Sequence, residues 1–393
     1  MDKSNYILKC TKCGEKHDPN IGVGTCIKCG GVLLAEYDIE KLNGNIDLKN
    51  IASQWRYRDL LPIEKDINII SLNEGYTPLL KARNLGNTIR YRGSKIYIKD
   101  ESRNPTGTFK DRGISTALSR WSELGYRKFA LATAGNAGIS LASYSRVGGF
   151  ETAIYAPRDT PKAILREIEI YDADLITVEG TIFDASRKLR ERIVEDPSWI
   201  NISTGMEPYR FEGDKTIGLE ILEHLDWKIP DIIVYPLGGG EGIIGIWKAV
   251  KESIELGLVK DEKYPRFIAA QPENCAPIAR ALKEGKDHVD PWTNCRTIAI
   301  GLNIPKPYAD YLIIDILKKT RSLIYTIGEA EILESIKYIA AIEGIYPSPE
   351  TAAGFEALRK AIENNEIDRD ENIVVIQTAS GVRYLEILEK LKN

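Results

Sequence analysis

From Lys95 onward, short apolar or β-branched runs alternate with longer stretches whose apolar residues recur every three and four positions. Strands are read at 96–98, 129–132, 152–155, 175–178, 232–235, 267–270 and 373–377, and helices at 111–124, 136–147, 161–171, 182–194, 215–224, 242–255 and 382–391. A chain that repeats strand, helix, strand must cross over between neighbouring strands, which predicts an α/β fold with parallel-rich sheets. With 393 residues, 43% of them hydrophobic, the core exceeds what one domain of roughly 250–300 residues holds, so two open α/β domains are expected, divided near residue 200.

The first 37 residues stand apart. Cys10-Thr-Lys-Cys13-Gly14 and Cys26-Ile-Lys-Cys29-Gly30 are two similar knuckles separated by 12 residues, each with a glycine that lets thiolates converge. A redox dithiol needs one such pair; two predict a zinc ribbon with Cys10, Cys13, Cys26 and Cys29 as ligands of one structural zinc. Cys275 and Cys295 stand far downstream, the cysteine distribution points to metal rather than disulfides, and Cys275 is read as buried and inert. The expected organisation is therefore 1–37 ribbon, 38–200 first α/β domain and 201–393 second α/β domain. A net charge of −4 argues against broad nucleic-acid binding or a polybasic membrane surface. No apolar run approaches the roughly 20 residues of a membrane span, so the protein is expected in the cytoplasm with small-molecule partners.

Open α/β sheets bind ligands at the carboxyl ends of their strands, and three strand-to-helix junctions carry unusual chemistry. In Asn104-Pro-Thr-Gly-Thr-Phe-Lys110-Asp-Arg-Gly113, Pro105 and Gly107 force a turn, and a helix starting at Lys110 or Asp111 sets its positive end beside the lysine amine. That potential disfavours the ammonium form and suits an amine that forms an imine; a solvated lysine at a helix start is the alternative. Thr133-Ala134-Gly135-Asn136-Ala137-Gly138 follows a strand with a tight turn, where Asn136 either contacts a ligand or caps the helix. Gly238-Gly239-Gly240-Glu241-Gly242 lets backbone N–H groups converge on an anion at a helix start, provided that Glu241 points outward.

The Lys110 segment resembles the cofactor-lysine segment of fold type II pyridoxal-phosphate (PLP) enzymes. The stretch Lys-Asp-Glu-Ser-Arg-Asn-Pro-Thr-Gly-Thr-Phe-Lys-Asp-Arg-Gly, from Lys99, is close to the threonine synthase version, and the resemblance runs from Glu74-Gly-Tyr-Thr-Pro-Leu79 to the C-terminal strand. It implies the tryptophan synthase β-like fold, with Lys110 as the imine anchor and proton carrier. It further implies that Asn136 contacts the PLP ring oxygen, that Thr133, Ala134, Gly135, Asn136 and Ala137 hold the substrate carboxylate, and that Gly238, Gly239, Gly240, Glu241 and Gly242 cup the PLP phosphate. Thr378, in Gln-Thr378-Ala-Ser380-Gly381, takes the pyridine nitrogen. The segment around Pro208-Tyr-Arg210-Phe resembles one whose arginine grips the substrate phosphate, a planar fork suited to bidentate binding; a surface arginine paired with Glu207 or Glu212 is the alternative.

The resemblance implies a phosphorylated amino acid as substrate, conversion of O-phospho-L-homoserine and water to L-threonine and phosphate, and a homodimer. Ala137 replaces a threonine common in such enzymes, and Thr204-Gly205 stand where asparagine and serine are frequent. Those departures leave two alternatives open. One is another fold type II reaction, such as threonine or serine ammonia-lyase or a cysteate synthase-like β-replacement; the other is a non-catalytic PLP-like binding protein.

Overall fold

The computed structural model describes residues 5–42, 46–88 and 95–391. The compact units interleave along the chain: one joins Met1–Tyr76 to Asn104–Ile217, the other joins Thr77–Arg103 to Gly218–Asn393. Three consecutive segments, 1–37, 38–200 and 201–393, had been expected. The difference arises because the strand at Lys95–Asp100, with its neighbour Leu79–Lys81 on one side, pairs on the other with a C-terminal strand and not with the strands of 128–201, which places 77–103 in the second unit.

Elements are numbered in chain order. In the first unit, β1 (Tyr6–Cys10) pairs antiparallel with β2 (Lys16–His17) and β3 (Leu33–Tyr37), and the short α1 (Ile39–Leu42) follows. The ribbon does not stand free. Arg120 Nη2 donates to Pro19 O at 3.1 Å and to Asn20 Oδ1 at 2.8 Å, Tyr209 OH donates to Pro19 O, and Tyr37 OH donates to Glu212.

The rest of the unit is a four-stranded parallel sheet of order β8-β7-β6-β9, formed by β6 (Lys128–Ala132), β7 (Glu151–Pro157), β8 (Asp174–Val178) and β9 (Trp199–Asn201). Its helices are α3 (Lys110–Glu123), α4 (Asn136–Gly148), α5 (Lys162–Ile170), α6 (Ile182–Glu195) and the start of α7 (Tyr209–His224). Buried Ala185 and Leu189 of α6 meet Ala130, Ala153, Tyr155 and Trp199 of the sheet. The chain runs outward from β6 to β8 and returns to place β9 on the other side of β6, so the strand order reverses at β6, where such sheets open a crevice.

The second unit has a six-stranded sheet of order β12-β11-β10-β13-β5-β4. Its strands β5 (Lys95–Asp100), β10 (Ile232–Pro236), β11 (Arg266–Pro272), β12 (Leu323–Ile327) and β13 (Asn372–Gln377) are parallel, and β4 (Leu79–Lys81) is an antiparallel edge. Around it lie α2 (Leu85–Thr88), α8 (Glu241–Glu255), α9 (Pro277–Lys283), α10 (Asp310–Lys319), α11 (Glu329–Glu343), α12 (Pro349–Glu363) and α13 (Leu385–Lys390). Here the order reverses at β10, flanked by β11 and β13. The sheet interior is aliphatic: Ile96, Ile98, Val234, Ile268, Ile373 and Val375 pack with Ala352, Ala353 and Leu358 of α12.

Every strand read from the sequence lies within an observed strand. The helix expected at 215–224 begins six residues earlier, at Tyr209, because Glu207 accepts the backbone N–H groups of Tyr209 and Arg210 and so caps it. Cys275 and Cys295 form a disulfide, Cα–Cα 4.8 Å, which corrects the reading of both as unpaired thiols. Twenty residues separate them in sequence, and the chain folds back after α9 to bring them together.

Candidate active site

In the first unit the segment before Lys110 is a built turn. Gly107 adopts φ +75°, its N–H donates to Asn104 O at 2.8 Å, and Asn104 Oδ1 accepts from Gly75 N at 2.9 Å. Asp111, fully buried, accepts from Thr106 N at 2.7 Å, from the Thr106 hydroxyl and from the Ser140 hydroxyl of α4 at 2.6 Å. Burial pushes its carboxyl up to about 7 against the pull of those donors. Lys110 is the first residue of α3, half-buried, with Nζ 4.2 Å from the Phe109 ring centroid. The helix therefore begins where the sequence placed it, with its positive end at the lysine.

Behind this turn Glu74, fully buried, accepts from Trp55 Nε1 at 2.8 Å, Gln54 Nε2 at 3.1 Å, Leu72 N at 3.0 Å, Tyr144 OH at 2.9 Å and the Ser71 and Ser115 hydroxyls. It ties α3 and α4 to the segment that enters the turn. Sequence reasoning placed Glu74 only within a resembling stretch, and its partners are too far away in the chain to have been foreseen.

The turn after β6 lies at the order reversal of its sheet. Gly135 N donates to Thr133 Oγ1 at 3.0 Å, and a Cβ on Gly138 would crowd Thr133 Cγ2 at 2.7 Å. Gly135, not Asn136, occupies the cap position, so Asn136 is the first helical residue and the capping alternative does not apply. Beside this turn, at the end of β9, the Ser203 hydroxyl accepts from Ala132 N at 3.1 Å.

Arg210 follows in the first turn of α7. It is 2% exposed, and its Nη1 donates to Ile202 O at 2.8 Å, so the surface alternative does not describe it. Glu207, also buried, has its carboxyl pushed up to about 7 by burial. The structure thus groups Thr133–Ala137 and the 202–206 turn through adjacent β6 and β9, with Arg210 bound to the latter.

In the second unit the glycine turn joins β10 to α8. Gly240 is in the left-handed region, φ +79°, and any Cβ on Gly238 would run into the Gly301 carbonyl. Glycine is required there for shape as well as flexibility. Glu241, expected to point outward, is 2% exposed at the first position of α8, so it is buried with the start of that helix and does not face solvent. Thr378 follows β13, the strand paired with β10, so it shares the carboxyl edge with the glycine turn. It is 6% exposed, its N–H donates to Thr351 Oγ1 at 3.1 Å, and the two hydroxyls lie 3.3 Å apart. A glycine cradle closed against a backbone carbonyl, opening onto a helix N-terminus, fits a phosphate ester.

In the ribbon, the sulfurs of Cys10, Cys13, Cys26 and Cys29 all lie within 4.8 Å of one another, with Cys10–Cys29 at 3.5 Å and Cys13–Cys26 at 3.7 Å. Four thiolates about 2.3 Å from a tetrahedral zinc stand about 3.8 Å apart. The set fits.

Residues 70–379 match the family model described as pyridoxal-phosphate dependent enzyme. The chain belongs to this family. Among the PLP-dependent enzymes, it is 32% identical over 382 residues to the threonine synthase of Methanocaldococcus jannaschii, covering 96% of this chain and 93% of that one. It is 33% identical over 380 residues to that of Methanosarcina acetivorans, covering 95% and 91%. The PLP-enzyme fold is shared with the processed threonine deaminase isoform 2 of Solanum lycopersicum (TM-score 0.67, 20% identity, 88% and 97% of the two chains). It is also shared with the cysteine synthase of Entamoeba histolytica (TM-score 0.66, 23% identity, 84% and 92%).

Proposed function

We infer that this PLP-dependent enzyme catalyses the threonine synthase reaction, releasing phosphate from O-phospho-L-homoserine and adding water to give L-threonine. The observation that carries this reading is identity above 30% to threonine synthases along nearly the whole of both chains.

Within it, Lys110 holds the cofactor covalently, Asn136 meets the ring oxygen, Thr378 faces the pyridine nitrogen, and Gly238–Gly242 receive the phosphate. PLP, when bound, supplies the electron sink that makes the substrate α-proton removable. This chain's residues do the rest. The Lys110 amine moves protons at the α- and β-carbons; the 133–137 turn offers N–H groups to the carboxylate; Arg210 binds the substrate phosphate, fixing the two ends of the molecule. The ribbon carries one structural zinc. The enzyme works in the cytoplasm as a homodimer on a small phosphorylated amino acid; among the described residues no helix is long and apolar enough to cross a membrane.

Steady-state release of phosphate and threonine from O-phosphohomoserine, measured beside keto-acid release from threonine and serine, tests the reading. Phosphate and threonine in equal amounts support it. Keto acid as the main product, the outcome that Ala137 and Thr204 leave room for, would replace it with an ammonia-lyase.

A further inference from the structure

The N-terminus of α12 touches Thr378 directly and reaches the glycine turn through Gly301, and neither link was visible in the sequence. Its cap is firm: the Ser348 hydroxyl accepts from Thr351 N at 3.3 Å, Ser348 N donates to Ala379 O at 3.2 Å, and Pro349 occupies the first turn. From this fixed start Thr351 holds Thr378. The neighbouring Glu350, 5% exposed, accepts the Gly301 N–H with Oε1 at 2.8 Å. Gly301 in turn presents the carbonyl that fills the space where Gly238 would carry a side chain. One residue thus stands between a buried carboxyl and the edge of the phosphate turn.

Burial pushes the Glu350 carboxyl up, opposed by the Gly301 N–H, its own N–H and the Tyr384 and Ser348 hydroxyls. A carboxyl so far from water is an expensive way to fix one peptide unless that peptide's position matters.

We propose that Glu350 is a positioning residue for the cofactor phosphate: by holding Gly301 it fixes the wall against which Gly238 packs, and so the aim of the turn's N–H groups. What it supplies is an acceptor at a set reach, not a charge. The proposal rests on the reading that Gly238–Gly242 cup the PLP phosphate.

Two conservative variants separate reach from charge. Glu350→Gln keeps an acceptor at the same distance and drops the charge; Glu350→Asp keeps the charge and withdraws the acceptor by about 1.5 Å, one carbon–carbon bond. Apoprotein of each full-length variant is titrated with PLP and with pyridoxal, which lacks the phosphate, and apoprotein melting is recorded alongside. The expected result is a PLP dissociation constant about tenfold higher in Glu350→Asp, the size of one lost hydrogen bond. In Glu350→Gln it stays within about threefold of the parent, and pyridoxal binding is alike in all three. Weakened PLP binding in Glu350→Gln with normal binding in Glu350→Asp would overturn the proposal, as would an equal loss for pyridoxal or parental PLP affinity in both variants. Gly238→Ala serves as the separate control: if it binds PLP like the parent, the phosphate-turn assignment itself fails, whatever the Glu350 variants do.

Discussion

Asp111 carries a conflict between its place at a helix start, which favours a carboxylate, and its complete burial, which does not. Its carboxyl is raised from 3.8 to about 7, so between those values the folded chain holds a proton that the unfolded chain releases. Stability then falls as pH rises through that window, and below it the full contribution is present. Denaturant midpoints between pH 4.5 and 7 should show a shallower decline in Asp111→Asn than in the parent; Glu207, raised in the same direction, keeps the slope from vanishing. An unchanged slope would show that Asp111 does not titrate there. At Arg210, replacement by Ala should lower kcat/KM for the phosphorylated substrate by about 2–5 kcal/mol, as when a buried charge pair is broken, while PLP affinity changes little. Equal loss of PLP affinity would put the guanidinium at the wrong phosphate. The turns and helix starts at Lys110, Asn136 and the glycines were legible because each is written in a contiguous motif. Glu74, Asp111, Glu207 and Glu350 owe their roles wholly or partly to distant partners, for example Gln54, Ser115 and Tyr144 around Glu74, and no spacing rule reveals them.

Among the elements, the ribbon makes the sharpest claim. A segment of under 40 residues has too small a core to hold itself without a staple, and its side of the Arg120, Tyr209 and Tyr37 contacts depends on that fold. Cys10→Ser and Cys26→Ser should each lose about one zinc per chain and melt at lower temperature while keeping the PLP absorbance. Full metal content in both variants would refute the four-cysteine site; immediate loss of PLP chemistry on gentle zinc removal would refute a purely structural role. The helices at 310–319, 329–343 and 349–363 went unread, and α12 shows why. Pro349 to Leu358 are all buried, so over those residues burial does not alternate with the period of 3.6 that a half-exposed helix shows. The three-residue β9 and β4 are too short to carry an alternating pattern. The disulfide escaped for a different reason, since only the fold-back after α9 brings its two cysteines within reach.

For the molecule as a whole, the alternation of strand and helix was enough to specify two parallel-rich α/β halves, because crossover chemistry leaves few other solutions. It was not enough to say which segments share a half. The 77–103 excursion is decided by backbone pairing of β5 with β13, residues more than 270 positions apart in the register Lys95 with Asn372, and local pattern carries no trace of such a partner. Each half nevertheless reverses its strand order where the sequence set its chemistry: at β6, before Asn136, and at β10, before Gly238. Every proposed role of the cofactor depends on Lys110 as its anchor, and hydride reduction of the purified holoenzyme followed by peptide mapping probes that anchor. The pyridoxyl group should be found on Lys110, and Lys110→Ala should take up none and show no turnover; a pyridoxyl group on any other lysine would rule Lys110 out as the anchor.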